Sequence, residues 1–592
     1  MHTPAEPGEY KAGNTMADKF KIISDFIDGR ALALKGTKCG IVDASGNILR
    51  DFVYTHTEPE DFTVSDEGMI TSYKGNNRNL ILPPIINNRE ITAIGPEAFR
   101  GCKNIYEITI PHGVTSIKRK AFAYCDNLKR VILPDSLLNI EDWAFFYCNH
   151  LKTIRIPDSL MDLGQYAFEA CDGLKEIEVS ASNQYCVSIG GVLFSKDKKR
   201  LFRYPSGRED EEYRVPRGTE AISRTAFYDA RVKRVVLPDG LKRIGVGAFR
   251  GCRELESINI PSSVTRISGN AFLCCKKLSD IVLPDGLTSI ENRAFYYCKS
   301  LKSINIPRGV TSICECAFDG CEGLTSVALP DTLEEIGAWA FNGCKSIREI
   351  DLPDSVTSIG AWAFAHMDRL QRIRLSSVTL LPEGVLYNAK RLEQLHIPPT
   401  VERIGSRAFA GCKKLTEITI PKAVTTLDKR CLDACKALSR IVVEPGNTGY
   451  VSDNGILYTA DKKKILKFPA SREDTVFVIP DTVTCIGAWA FAGCKKLSRI
   501  TLSKNTETVE EGAFYACSGI YEMLIPASVR TIGKSAFFYC KTLKDLRVEG
   551  MDTVIDEWAF FECARLLTVK CRTDSAACGF AARANIACEI ID

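Results

Sequence analysis

The sequence predicts an α/β solenoid, in which a short strand and a returning turn or helical segment recur along the chain. Two observations carry this prediction. Over most of the 592 residues, the dipeptide Ala-Phe followed three residues later by Cys returns every 23 residues. Within each interval, apolar and polar residues alternate up to a proline, which is the pattern of a short half-buried strand that stops there. A fixed period in the twenties indicates stacked repeats that bury their apolar sides against one another.

The recurring Phe and Cys predict a buried ladder with one step per repeat. Variants such as Phe227, Phe364, Leu386 and Leu432 bring the number of repeats to about 18. We expect the strands to form one parallel sheet and the core to contain the following pairs: Phe99/Cys102, Phe122/Cys125, Phe145/Cys148, Phe168/Cys171, Phe249/Cys252, Phe272/Cys275, Phe295/Cys298, Phe318/Cys321, Phe341/Cys344, Phe409/Cys412, Phe491/Cys494, Phe514/Cys517, Phe537/Cys540 and Phe560/Cys563.

Fifteen of the 25 cysteines fall at this ladder position. Stacked strands lie about 4.8 Å apart, whereas the Cβ atoms of a disulfide lie roughly 3.5–4.5 Å apart. Ala230, Met367 and Ala389 replace the cysteine in three repeats. The pattern therefore predicts buried, reduced thiols that fill space as small apolar side chains.

Composition excludes several classes of protein. The net charge of +4, with 77 basic and 73 acidic residues, gives no basic footprint for nucleic acid or an anionic membrane. No apolar run reaches the roughly 18 residues that would span a bilayer. Residues 1–17 lack the apolar core of a secretory signal and are expected to be disordered, which favours a cytoplasmic location.

Two equal interruptions break the 23-residue period. Phe168 to Phe227 and Leu432 to Phe491 both span 59 residues, and the inserted sequences match at an offset of 264. In each, alternating apolar residues run into an Asp-Lys-Lys turn. We expect β-hairpin insertions at 180–216 and 444–480, copied together with a larger unit.

The consensus Leu-x-x-Ile-x-Ile-Pro-x-x-Val-x-x-Ile-Gly-x-x-Ala-Phe-x-x-Cys resembles BspA-like leucine-rich repeats, also called the Treponema pallidum type. The resemblance covers residues 58–592, with an N-terminal cap at 58–95 and a C-terminal cap at 571–592. It implies a parallel sheet on the concave side of the solenoid. It also implies a surface or secreted protein that binds host or matrix proteins or other cells.

A shorter resemblance precedes the repeats. Residues 18–57 are similar to a single WG repeat, in which Cys39 stands at the place of the usual aromatic residue. From the residues alone, this segment is a small β-hairpin with a turn at Gly46-Asn47.

The tryptophans are the first candidate partner-binding residues. All five share one repeat position, and three lie in identical Gly-Ala-Trp-Ala-Phe blocks: Trp339, Trp362 and Trp489. An aromatic stripe is a candidate hot spot for a protein partner. The alternative is that these rings pack repeat against repeat.

The outward positions of the strands are the second candidate surface. They carry mixed charges, including Arg130 and Arg155, and the densest basic cluster is formed by Arg372, Arg374 and His396. Mixed charges favour a large partner over a small charged ligand, while an ordinary solvated face is the alternative reading.

Catalytic signals are weak. The six histidines are scattered, and only Cys274-Cys275 and the pair Cys314 and Cys316 suggest a metal or redox site. We expect no cofactor and no metal. The sequence thus favours a monomeric, non-enzymatic scaffold that binds a protein or glycoprotein. An intracellular adaptor and a cysteine-dependent enzyme are the alternatives.

Overall fold

The computed structural model describes residues 21–22, 30–35, 38–43, 45, 47–54 and 59–591, so the predicted disordered segment 1–17 lies outside the described residues. The chain divides into two compact units, the first ending at Ser263 and the second beginning at Val264. Each unit is a β-solenoid of 23-residue repeats, which confirms the predicted repeat architecture.

Each regular repeat contributes two strands. A long strand carries the Ile-x-Ile motif before the proline, and a short strand of two residues follows the Pro-x-x-Val turn. Successive strands of each kind pair in parallel, shifted by one repeat: Glu107 pairs with Arg130, and Ser116 with Asn139. The sequence predicted one parallel sheet, whereas the structure has two parallel ladders. The second ladder escaped prediction because two residues are too few to show alternation.

The long strands of the first unit are Asn79–Ile81, Glu107–Thr109, Arg130–Ile132, Thr153–Ile156, Glu176–Val179, Glu212–Arg214, Arg234–Val236 and Ser257–Asn259. Its short strands are Ala93–Ile94, Ser116–Ile117, Asn139–Ile140, Asp162–Leu163, Ala221–Ile222 and Arg243–Ile244.

The long strands of the second unit are Asp280–Val282, Ser303–Asn305, Ser326–Ala328, Glu349–Asp351, Arg372–Arg374, Glu417–Ile420, Arg440–Val443, Val476–Val478, Arg499–Thr501, Glu522–Ile525, Asp545–Val548 and Thr568–Cys571. Its short strands are Ser289–Ile290, Ser312–Ile313, Glu335–Ile336, Ser358–Ile359, Leu380–Leu381, Arg403–Ile404, Thr426–Leu427, Cys485–Ile486, Thr508–Val509, Thr531–Ile532 and Val554–Ile555.

The return segment, which the sequence left open between helix and turn, is a turn. The residues two before and two after the ladder Phe commonly have positive φ angles, as Trp143 (60°) and Tyr147 (59°) do around Phe145. A right-handed helix cannot pass through such residues. Between them, the Phe145 N–H donates to the Ala167 carbonyl of the next repeat at 2.9 Å. Hydrogen bonds between repeats thus hold the strained turns in place.

The core is a stack of phenylalanine rings. Phe295, Phe318 and Phe341 lie 5.4 and 5.3 Å apart between ring centroids, nearly parallel and buried. Beside them, the Cys321 thiol donates to the Phe295 carbonyl at 3.1 Å, and the same bond recurs along the ladder. The cysteine therefore fills space, as predicted, and also supplies a donor.

One of the predicted ladder cysteines departs from the expected buried series. Cys252 follows the prediction: it is buried and its thiol donates to the Phe227 carbonyl at 2.9 Å, although the repeat before it carries Ala230 in place of a cysteine. Cys102 is half-buried instead of buried, since it belongs to the first repeat, which follows the N-terminal elements.

The two insertions are three-stranded antiparallel sheets. The first comprises Cys186–Ile189, Val192–Ser195 and Arg200–Arg203, and the second comprises Tyr450–Asp453, Ile456–Thr459 and Lys464–Lys467. In both, the third strand also pairs in parallel with the next short strand. The insertions are therefore continuous with the short-strand ladder and return the chain to it.

The ends of the repeat array are closed by separate elements. At the N-terminal end lie the 3₁₀ turn Pro59–Asp61, the hairpin Phe62–Val64 and Met69–Tyr73, and the strands Ile85–Ile86 and Arg89–Glu90. At the C-terminal end, the only α-helix among the described residues, Ala576–Arg583, precedes the last strand, Ala587–Ile590. Phe580 of the helix is buried 5.8 Å from the Phe560 ring. The helix thus covers the last ring of the stack.

The predicted WG-like segment forms a separate antiparallel sheet from Lys21–Ile22, Arg30–Lys35, Lys38–Asp43 and Ile48–Tyr54. The Asp43 N–H donates to the Asn47 carbonyl across the predicted turn, at 2.9 Å. Gly46 lies outside the described residues, and the relationship to WG repeats stays a prediction.

Candidate functional site

The long strands present one face to the core and one to solvent. In the strand Arg372–Arg374, Ile373 is buried whereas both arginines are exposed, because successive side chains of a strand point to opposite faces. We call the solvent side of the long strands the strand face.

The predicted basic cluster lies on this strand face. Arg374 and His396 pair as a parallel bridge, so the structure brings the cluster together. Its charge is nevertheless compensated. Arg372 lies 3.1 Å from Asp351 and 3.4 Å from Glu349, and Arg374 lies 2.5 Å from Asp354. The cluster thus presents exposed ion pairs rather than a positive patch.

The predicted arginines of the first unit lie on the strand face of neighbouring long strands. Arg130 is 3.6 Å from Glu107, and Arg155 is exposed in the strand Thr153–Ile156. Ion pairs at such exposure contribute about 0–1 kcal/mol each to stability. Their main effect is therefore to orient the side chains.

The last sheet carries exposed apolar side chains on the strand face. We call the solvent side of Val476–Val478, Arg499–Thr501, Glu522–Ile525, Asp545–Val548 and Thr568–Cys571 the C-terminal strand face. Val476, Val478 and Leu524 are exposed by 53, 64 and 43% at outward positions. Tyr521 and Leu567 are exposed just before two of these strands. Sequence reasoning missed this surface because it ranked outward positions by charge.

Trp339, Trp362 and Trp489 occupy one of the positive-φ positions and are half-buried. The Trp339 and Trp362 rings stack at 5.2 Å. Trp489 lies under the Arg430 guanidinium at 4.5 Å, and a Cβ on Gly512 of the next repeat would meet its ring at 2.7 Å. These contacts are those of repeat-to-repeat packing, the alternative that the sequence left open.

A cleft of about 720 Å³ lies beside the first insertion. Its wall includes Lys199, Lys242 and Glu220, and Glu220 lies 3.0 Å and 2.8 Å from the two lysines. Hydrogen bonds from Lys242 and Lys199 lower the pKa of Glu220. Glu220 thus pairs with both lysines, but the lining as a whole is basic, because it also carries Lys196, Arg200 and Arg243 against the single further carboxylate of Asp197.

Cys314 and Cys316 lack the lowered pKa of a nucleophilic cysteine. Burial raises the pKa of Cys316 to about 11, with Asp319 and Glu315 adding to the shift, and burial also raises the pKa of Cys314. A reactive cysteine instead requires a lowered pKa. Cys274 is half-buried beside the buried Cys275.

These features, parallel strands every 23 residues around a leucine-, isoleucine- and phenylalanine-rich core, define a leucine-rich repeat scaffold, a class that generally binds proteins. The family model described as "BspA type Leucine rich repeat region" matches residues 79–207, 220–327, 311–439 and 468–580. The matches span well over half of the sequence, and the chain belongs to this family.

Solved structures show partial likeness. A leucine-rich repeat protein from Eubacterium ventriosum is 24% identical, with 56% of this chain and 93% of that chain covered and a TM-score of 0.43. A leucine rich cell surface protein from Faecalibacterium prausnitzii is also 24% identical, with 56% and 94% covered and a TM-score of 0.33. The T. pallidum leucine rich repeat protein is 21% identical, with 53% and 90% covered and a TM-score of 0.20.

A search of curated proteins finds no match. Among the described residues, no helix has the length and apolarity to cross a membrane.

Proposed function

We propose that this protein is a non-enzymatic scaffold that binds a protein or glycoprotein partner through the C-terminal strand face. The observation that carries the proposal is the exposure of Val476, Val478 and Leu524 at outward positions of paired strands. Burying three such side chains against a partner contributes roughly 1.5–3 kcal/mol each when burial is complete.

Charged side chains border these apolar residues. Arg499 and Glu522 lie 2.7 Å apart on the same face, and Arg547 lies 3.3 Å from Glu549. An apolar centre with a polar, hydrogen-bonding border is the usual anatomy of a protein interface. The balance of both signs favours a partner surface of mixed charge over a polyanion.

The remaining predicted residues take lesser roles in this proposal. Arg372, Arg374 and His396 lie outside the C-terminal strand face, and both arginines are already ion-paired, so these residues have no direct part in the proposal. Trp339, Trp362 and Trp489 are assigned to packing. The raised pKa of Cys316 supports a scaffold over a cysteine-dependent enzyme.

The test places charge in the proposed surface. In affinity capture from the source cells, the wild-type chain should retain a defined protein partner, and Val478→Asp/Leu524→Lys should lose it. The matched control is Val282→Asp, at an equally exposed outward position of the earlier long strand Asp280–Val282. Circular dichroism checks that all three chains are folded. Equal retention by the double variant, or retention of no protein at all, would contradict the proposal.

A further inference from the structure

Three cysteines converge in the C-terminal cap. Cys571 ends a long strand, Cys578 lies in the helix, and Cys588 lies in the last strand. The sulfur of Cys588 lies 2.9 Å from that of Cys571 and 3.5 Å from that of Cys578. All three sulfurs lie within 4.8 Å of one another. Among the residues that the structure describes, this is the only such group of three potential metal ligands.

Three sulfurs this close together can share a single metal ion. Zinc binds thiolate sulfur at about 2.3 Å in tetrahedral geometry, which places two sulfur ligands about 3.8 Å apart. The 3.5 Å separation of the Cys578 and Cys588 sulfurs is close to this value, and the Cys571 and Cys588 sulfurs, 2.9 Å apart, would separate by about 0.9 Å on binding. Thiolates select soft ions such as Zn²⁺ and Cu(I). We propose that Cys571, Cys578 and Cys588 bind one such ion, with Zn²⁺ as the ion to test.

A disulfide accounts for the cluster less well. In the parallel pairing of the last two strands, Cys571 faces Ile590 and Cys588 faces Val569, an offset of two residues. Strand spacing and rise then place the two Cα atoms about 8 Å apart, beyond the roughly 6.8 Å limit for a disulfide. A disulfide would also leave the third sulfur without a role.

The cap has a structural use for such an ion. All four residues of the last strand, Ala587–Ile590, are exposed, so this strand gains little from apolar burial. A metal held by two strands and the helix would fasten it to the array, because binding of a structural metal adds directly to folding stability. Cys588 is exposed and Cys578 is half-buried, so the cluster is open to solvent, which can supply a fourth ligand.

The experiment titrates Zn²⁺ into the reduced, chelator-treated full chain against a chromogenic chelator. We expect one Zn²⁺ per wild-type chain, and an affinity at least about tenfold weaker for Cys588→Ala and Cys578→Ser. Cys485→Ala, which removes a half-buried thiol outside the cluster, should bind as the wild type does. Co²⁺ in place of Zn²⁺ should give sulfur-to-cobalt charge-transfer absorption that both cluster variants weaken.

A second readout separates metal binding from a general loss of structure. Zn²⁺ should raise the thermal midpoint of the wild type and of Cys485→Ala, and should leave that of Cys588→Ala unchanged. Equal Zn²⁺ binding by Cys588→Ala would overturn the proposal. So would a Cys571–Cys588 disulfide in protein isolated from the source cells without added reductant.

Discussion

At the scale of single residues, the ladder cysteine combines small volume with a donor. The carbonyl of Phe295 accepts the N–H of Cys298, within its own turn, at 3.1 Å, and the thiol of Cys321, from the next repeat, also at 3.1 Å. A thiol is a weak donor, which explains why Ala or Met replaces it in some repeats. The phenylalanine ring contributes far more buried area than its cysteine neighbour.

Substitution of a ladder phenylalanine tests how much its buried ring contributes to stability. Phe318→Ala should lower the free energy of unfolding by about 3–5 kcal/mol, because it opens a cavity between two stacked rings. Phe318→Leu should cost much less, since leucine already occupies the ladder at Leu386 and Leu432. Urea unfolding measures both, and equal midpoints for the two variants would refute the stacking account.

Individual residues also show where sequence reasoning reached its limit. The ladder was predictable because burial repeats with the period. The positive φ angles were not, since Lys120, Trp143 and Arg293 share one position and none of them favours that conformation. The positive φ angles are imposed by hydrogen bonds to the next repeat. These bonds join residues far apart in the sequence, so no local sequence pattern predicts them.

At the scale of elements, each insertion carries a buried cation at its junction with the ladder. Arg203 is 4% exposed and donates to the carbonyls of Thr225 and Phe168 at 2.8 and 3.1 Å. Lys467, at the matching position of the second insertion, is 6% exposed and donates to the Trp489 carbonyl at 2.9 Å. In the first insertion, the guanidinium occupies the place at the Phe168 carbonyl that a cysteine thiol takes in regular repeats.

Removing this cation should be costly. Arg203→Met leaves two buried carbonyls without their donor, which should destabilise the chain by about 2–5 kcal/mol. Arg200→Met changes an exposed residue of the same strand and should stay within about 0.5 kcal/mol of the wild type. Thermal unfolding compares the two, and a shift of similar size in both would show that the buried bonds contribute little.

The insertions were predictable as hairpins but not in their docking. The apolar run in Val192–Ser195 and the polar turn after it indicate a strand of a hairpin. Their third strand joins the short ladder through a partner about 20 residues further along, and pairing at that separation leaves no local signal. The convergence of Cys571, Cys578 and Cys588 escaped prediction for the same reason.

At the scale of the whole molecule, the ladder makes stability depend on alkaline pH. Burial raises the pKa of many ladder thiols well above the ordinary value, including those of Cys148, Cys298, Cys344, Cys412 and Cys517. In the unfolded chain these thiols ionise near pH 8.5. Above that pH the folded chain retains protons that the unfolded chain loses, so stability falls as pH rises.

Above pH 8.5, each such thiol should lower the free energy of unfolding by about 1.4 kcal/mol per pH unit. Ionisation of these thiols should change the urea midpoint little between pH 6 and 8. From pH 8.5 to 10 it should make the midpoint fall steeply. Cys298→Ala removes one of these thiols, so the stability of this variant should fall less steeply with pH, by about 1.4 kcal/mol per pH unit. A midpoint that stays constant across pH 8–10 would be incompatible with buried, protonated thiols.

The even spacing of the ladder thiols has a consequence for observing the protein. Most regular repeats hold one cysteine that is inaccessible while its turn is closed, as Cys125, Cys252, Cys321 and Cys540 are. An electrophile in solution will therefore mark a repeat only when that repeat opens. Mass-spectrometric mapping of the marked positions over time would give an opening rate for nearly every 23-residue step. The chain thus contains its own series of reporters for fraying, from the ends of each unit to its middle.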